Sequence, residues 1–386
     1  MSKSGKLQTV LGQPSWRMQS KNVEVFLTRL GGHLGPITYD RAGRKIRPLS
    51  VAPWAQEKPG PRLIPLLEVL RGDFFCMPFG GNEKPYRKEH HPPHGEAANA
   101  AWELEAVEED SGVHMLHASL RTKVRKGRID KLITLIDGQN AVYCQHVISG
   151  MAGPMNLGHH AMLKFPDEEG CGLISTSRLA YAQVFVQPTE NPACKGYSCL
   201  KPGATFKDLA GVPTVFGTSA DLSRYPARRG FEDIVQLVSD PKLDVAWTAV
   251  SFPKQRYVWF ALKDPKVLTG TLVWHSNGGR HYEPWNGRHI NVLGLEEVTT
   301  YFHLGLAEAA ASNPISAKGH RTVLQLRPDR PTVVNYIMAA APTPAGFDRV
   351  KNITVAADQV TLRSESGKVV RLPLYACFLE AGACCC

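Results

Sequence analysis

The chain has 386 residues, of which 43% are hydrophobic and 21% charged, with 45 Lys or Arg against 35 Asp or Glu and a formal net charge of +10. That is the balance of a soluble globular protein, and no apolar run is long enough for a membrane-spanning helix. The positive excess is scattered. Its densest cluster, RTKVRKGRIDK from Arg121 to Lys131, reads as a solvated β-ribbon, and no nucleic-acid motif accompanies it.

Gly (34) and Pro (28) are spread along the chain, a pattern that suits many strands joined by many turns. Residues 1–20 lack the apolar core of a signal peptide and read as an irregular N-terminal arm of a cytoplasmic protein. From Asn22 onward VEVFLTRLGGHLGPITYD reads as a β-hairpin turning at Gly31-Gly32. A proline-rich stretch over 47–66 leads into RGDFFCMPFGGNEKPYRKEHHPPHGEAANAAWEL, Arg71 to Leu104. Its apolar anchors and convergent polar groups have the character of a binding loop. Alternating strands follow, with turns at Asp110-Ser111-Gly112 and Asp137-Gly138. The alternation breaks at 150–165, where His159 and His160 stand together.

Further strands are predicted at 171–187, 213–218, 234–238, 245–252, 256–262 and 268–275. A second Gly/Trp/His-rich loop spans 278–297. The one helix with a clear pattern lies within Thr300–Ala311, and 321–341 and 350–380 return to alternation, with a turn at Ser366-Gly367. The fold class is all-β: a large sandwich of many antiparallel strands with few short helices. Its main domain covers 21–345, and 346–386 form a C-terminal β extension and tail. Nine cysteines show no disulfide framework and read as reduced thiols, Cys384, Cys385 and Cys386 among them.

Reactive side chains gather at 90–103, 156–160 and 275–297. His90, His91 and His94 lack the second cluster that a zinc site needs, so no metal is expected. Glu89, Glu96, Glu103, Glu296 and Glu297 could supply a carboxylate pair, but sequence does not set their separation. There is no GxSxG motif and no glycine-rich phosphate cradle, and no cofactor is expected. A histidine and a carboxylate working as an acid–base pair remain, and composition alone does not choose them.

Four motifs narrow the choice. HGEAANAAWEL (His94–Leu104) resembles the HGxAR-N-x-x-W-E-L signature of the aldose 1-epimerase, or galactose mutarotase-like, superfamily. RGDFFCMPFGG is similar to the RGG…PxFG stretch of the hexose-6-phosphate mutarotase branch. NLGHHAMLKF (Asn156–Phe165) and VLGLEE (Val292–Glu297) resemble two later motifs, and all stand in family order over roughly residues 22 to 310. The resemblance implies a galactose mutarotase-like β-supersandwich, acting as monomer or homodimer on a small-molecule sugar or sugar phosphate.

The same resemblance implies Glu296 as general base and His160 as general acid in anomer interconversion. It implies His94, Asn99, Arg71 and Asn82 as substrate-binding residues, with Trp102, Trp274 or Trp285 offering aromatic faces. Two departures stand out. Ala98 occupies the position of the signature arginine, and Glu296 is followed by a second carboxylate, Glu297, which would raise its pKa if both faced inward. Two other classes share such a fold: a carbohydrate-binding protein without catalysis, and a carbohydrate lyase or hydrolase.

Overall fold

The computed structural model describes residues 5–58, 60 and 63–382; the terminal cysteines Cys384 to Cys386 lie outside them. Two large antiparallel sheets carry the chain. The nine-stranded sheet runs in the spatial order Arg224–Tyr225, Gly172–Thr176, Ala246–Phe252, Tyr257–Lys263, Thr332–Pro342, Ala141–Ser149, Gly127–Ile136, Val113–Thr122 and Glu103–Asp110. The seven-stranded sheet runs Leu179–Val184, Glu232–Ser239, Gly270–Ser276, Val292–Thr299, Leu157–His159 and Phe75–Cys76, with Ala161–Lys164 also paired to Val292–Thr299.

The period-2 patterns explain these strands directly. In Gly127–Ile136 the residues Ile129, Lys131, Ile133 and Leu135 are buried while Arg128, Asp130, Leu132 and Thr134 between them are only partly covered, as a strand with one packed face requires. The hairpin turns fall at the Gly-containing turns, where Ser111, Gly112 and Gly138 have positive φ, a conformation that a Cβ disfavours and glycine adopts freely. By contrast Glu232–Ser239, Ala246–Phe252, Gly270–Ser276 and Val292–Thr299 are buried along their whole length. These four strands are covered on both faces, their polar members such as Glu232, Thr248 and Glu297 included.

The N-terminal segment departs from expectation. Instead of an irregular arm, Leu7–Val10 and Gln13–Gln19 pair around Leu11-Gly12 and continue into Glu24–Thr28 and Leu34–Thr38 as a four-stranded sheet. Leu11 and Gly12 both have positive φ (47° and 83°), the geometry of a two-residue hairpin loop. The helix expected over 300–311 shrinks to Leu306–Ala310. At the other end Val350–Val355, Gln359–Ser364 and Val369–Pro373 form a three-stranded sheet. Its Ile353, Val360, Leu362 and Leu372 pack with Tyr143, Phe260, Leu262 and Ile337 of the nine-stranded sheet in one buried cluster. No helix among the described residues is long and apolar enough to cross a membrane.

Candidate active site

Strand alternation decides which carboxylate serves the cleft. Glu296 and Glu297 follow each other in Val292–Thr299, so their side chains leave opposite faces of the sheet. Glu297 is consumed by the sandwich interior: Thr248 and Thr271 hydroxyls each donate to it at 2.7 Å, and the Lys263 ammonium forms an ion pair with it. Glu296 faces the other way, into a cavity of about 300 Å³. Two residues earlier Gly294 keeps its place open, because a Cβ there would lie 2.5 Å from Glu296 Oε1. The concern that both carboxylates face inward together is removed by this geometry.

The paired histidines divide in the same way. His159 turns into the sandwich, where its Nδ1 meets Asp73 Oδ2 at 2.8 Å and its ring packs on Tyr336. His160 turns into the cavity and brings Nε2 to 3.3 Å from Glu296 Oε1. Its backbone N–H donates to Phe74 O at 2.9 Å. The Phe74 ring is stacked between His33 and His160, with centroids 4.1 and 4.4 Å away. The backbone bond fixes the residue's position and the stacked Phe74 ring holds the imidazole beside its carboxylate.

Both members of the pair are buried, 5% exposed for His160 and 2% for Glu296. Desolvation raises the Glu296 carboxyl well above the usual carboxylate range, opposed by the positive charge of Arg280. Desolvation lowers His160 well below the usual imidazole range, with His94 adding repulsion. The two shifts favour one shared proton over an ion pair. In either distribution of that proton the site holds one acid and one base.

His94 lines the same cavity, its Nδ1 3.2 Å from Cys76 Sγ and its ring edge-on to His160 at 5.1 Å. Burial pushes its pKa down to about 3, so it is a neutral hydrogen-bonding group at physiological pH. His91 is engaged elsewhere, its Nε2 2.9 Å from Glu89 Oε2. Among the described residues no group of three or more His, Cys, Asp or Glu could hold a metal ion.

Three of the residues that the motifs implied as substrate ligands are occupied elsewhere. Arg71 is fully buried and spends its guanidinium on the carbonyls of Val69, Val10 and Leu11, clamping the N-terminal hairpin to the body. Asn99 donates to the carbonyls of Pro93 and Gly95 and accepts from Leu66 N–H. Asn82 donates to the carbonyls of Gly80 and Pro92 and accepts from Leu306 N–H. None of the three lines the cavity, though Asn82 and Asn99 hold segments that do. Trp102 is likewise a core residue, its indole N–H on Ala97 O and Lys131 above its ring, whereas Trp274 and Trp285 do face the cavity.

The structure adds Arg280, Tyr282 and His303 to the cavity wall. Arg280 lies over both indoles, 5.1 Å from the Trp274 ring centre and 4.8 Å from that of Trp285, and its Nε donates to Glu190 at 2.6 Å. Beneath Trp274 sits Glu232, which accepts from the Trp274 indole at 2.9 Å; burial pushes its pKa up to about 7. Burial also takes His303 down to about 3. The loop sequence GGRHYEPWNGR signalled a crowded segment, but nothing in it distinguished Arg280 from Arg288, which turns outward to Glu57.

No protein-family model matches the chain, and no curated protein does either. Solved structures do match. A protein from Escherichia coli K12 provisionally described as an aldose 1-epimerase superposes with a TM-score of 0.57 at 11% identity, over 86% of this chain and 100% of its own. A galactose mutarotase-like protein from Clostridium acetobutylicum gives 0.56 at 11%, over 89% and 99%. A galactose mutarotase related enzyme from Lactobacillus acidophilus gives 0.53 at 12%, over 88% and 100%. At such identities the likeness speaks for the fold. This chain has the galactose mutarotase-like β-supersandwich fold.

Proposed function

We propose that the cavity interconverts the anomers of a cyclic hemiacetal sugar, with Glu296 as base and His160 as acid. The observation that carries this reading is the 3.3 Å contact between Glu296 Oε1 and His160 Nε2 inside a buried cavity. Opening a hemiacetal ring removes the proton from the C1 hydroxyl and delivers one to the ring oxygen. Both oxygens sit on the same carbon, so an acid and a base side by side can reach them together.

The ionised form of the pair is reached when the shared proton lies on His160. Arg280 stabilises the Glu296 carboxylate of that form and opposes the imidazolium beside it. The carboxylate then takes the O1 proton while the imidazolium protonates the ring oxygen as the C1–O bond breaks. Rotation about C1–C2 turns the open-chain aldehyde, and reclosure on its other face returns both protons. His94, kept neutral by burial, is a hydrogen-bonding partner for a substrate oxygen rather than a second proton source. The Trp274 and Trp285 faces suit the C–H surface of a saturated ring.

NMR exchange spectroscopy over a panel of aldoses and related lactols tests the reading. Accelerated exchange is expected for at least one of them, falling by at least ~100-fold in Glu296→Gln and in His160→Ala, the scale of a lost acid–base group. Binding without acceleration anywhere on the panel would replace the enzyme with a carbohydrate-binding protein of the same fold.

A further inference from the structure

The wall facing the acid–base pair carries information about the substrate. Ile64, Leu66, Leu67 and Leu70 from the short helix Pro65–Glu68 and its flanks, with Ile234 and Leu272 from the seven-stranded sheet, all line the cavity. Phe74, Trp274 and Trp285 add aromatic surface. Against this stand six polar side chains, His94, His160, Arg280, Tyr282, Glu296 and His303. The acid–base pair is reserved for the anomeric centre. Arg280 is already engaged by Glu190 and sits in the field of Glu232.

A hexopyranose brings a hydroxyl on nearly every carbon. Each one set against a leucine or isoleucine gives up its water and gains no hydrogen bond in return, which is unfavourable. Arg280 is no free anion receptor either, because it is paired with Glu190 at 2.6 Å before any ligand arrives. The aliphatic wall is also not a casual surface. Its helix is held by Asn99, whose carbonyl oxygen accepts the Leu66 N–H at 3.1 Å.

We infer that the substrate is a cyclic hemiacetal bearing an apolar substituent, an alkyl or aryl group in place of or capping ring hydroxyls, which packs against the Ile64–Leu70 wall. A cavity of about 300 Å³ is at the small end of ligand sites, so the substituent is one short chain or a single aromatic ring. This inference rests on the anomer-exchange reading for the placement of C1, but the apolar wall stands independently of it.

The test compares glucose, 6-deoxyglucose and 6-O-benzylglucose on the full-length protein, by calorimetric titration for binding and by NMR for anomer exchange. The benzyl ether is expected to bind at least tenfold tighter than glucose, with 6-deoxyglucose between them. Leu67→Asn, at a half-buried position of the wall, is expected to remove most of that gap while thermal unfolding shows the variant folded. Equal or tighter binding of glucose, or no binding by any of the three, overturns the inference. Exchange of glucose with no gain from the benzyl group also overturns it and leaves the anomer-exchange reading intact. Tighter binding of the benzyl ether without exchange supports the apolar ligand and removes the enzymatic reading instead.

Discussion

Glu296 and Glu297 are consecutive residues that the strand delivers to unrelated environments, one to the cavity and one to a lysine and two threonines inside the sandwich. Replacing either with glutamine removes the same charge, yet the consequences differ. In Glu297→Gln the Lys263 ammonium, 1% exposed, is left without its counter-charge, and breaking a buried pair from one side costs about 3–5 kcal/mol. The expected result is a matching drop in urea stability, with anomer exchange per folded molecule unchanged. Glu296→Gln should show the reverse, since burial already disfavours its charged form: stability kept, exchange lost. If Glu297→Gln abolishes exchange without affecting stability, the carboxylates have been assigned to the wrong faces.

The C-terminal strands cover the side of the nine-stranded sheet that turns away from the cavity, and Leu362 at their centre is fully buried. Leu362→Ala is expected to cost about 2–5 kcal/mol by the cavity it leaves, read as a shift in the urea midpoint, with substrate binding unaltered. Elements of this kind were legible in the sequence because alternation and Gly-containing turns report local geometry directly, as in the Glu103–Asp110 and Val113–Thr122 hairpin. His160 and Glu296 were singled out by the motifs NLGHHAMLKF and VLGLEE, not by alternation, and the fold brings the two side chains to one cavity. The contacts of Arg71, Asn82 and Asn99 were not legible. Their partners are main-chain groups brought in from residues 10 and 11, 306, and 66, and no local pattern announces those approaches. The Ile64–Leu70 wall was hidden for the same reason. A proline-flanked run of leucines reads as connecting chain until Asn99 is seen to hold it.

The molecule as a whole buries an unusual number of histidines, and this sets its response to acid. His33, His94, His146, His160, His275, His289 and His303 are all held below the ordinary imidazole range, in every case chiefly by desolvation. Below pH 6.5 the unfolded chain protonates these side chains and the folded one does not, so their contribution to stability is complete above that pH and is lost as pH falls. Three carboxyls work in the opposite sense, because burial raises Glu232 to about 7, Asp233 to about 6 and Glu296 further. Near pH 5 they are protonated in the fold and largely ionised when unfolded. The lowered histidines outnumber the raised carboxyls, so near pH 5 the unfolded state binds the more protons and stability falls with pH. The protein is expected to unfold in acid, followed by tryptophan fluorescence. His146→Phe isolates the cause. Neither ring nitrogen of His146 makes a hydrogen bond within the protein, and the ring is stacked on Phe75 with centroids 3.9 Å apart, so phenylalanine keeps the packing and removes one titrating group. The acid midpoint should move to lower pH while anomer exchange at pH 7 is retained. A midpoint that stays in place would mean that the buried histidines do not govern acid unfolding.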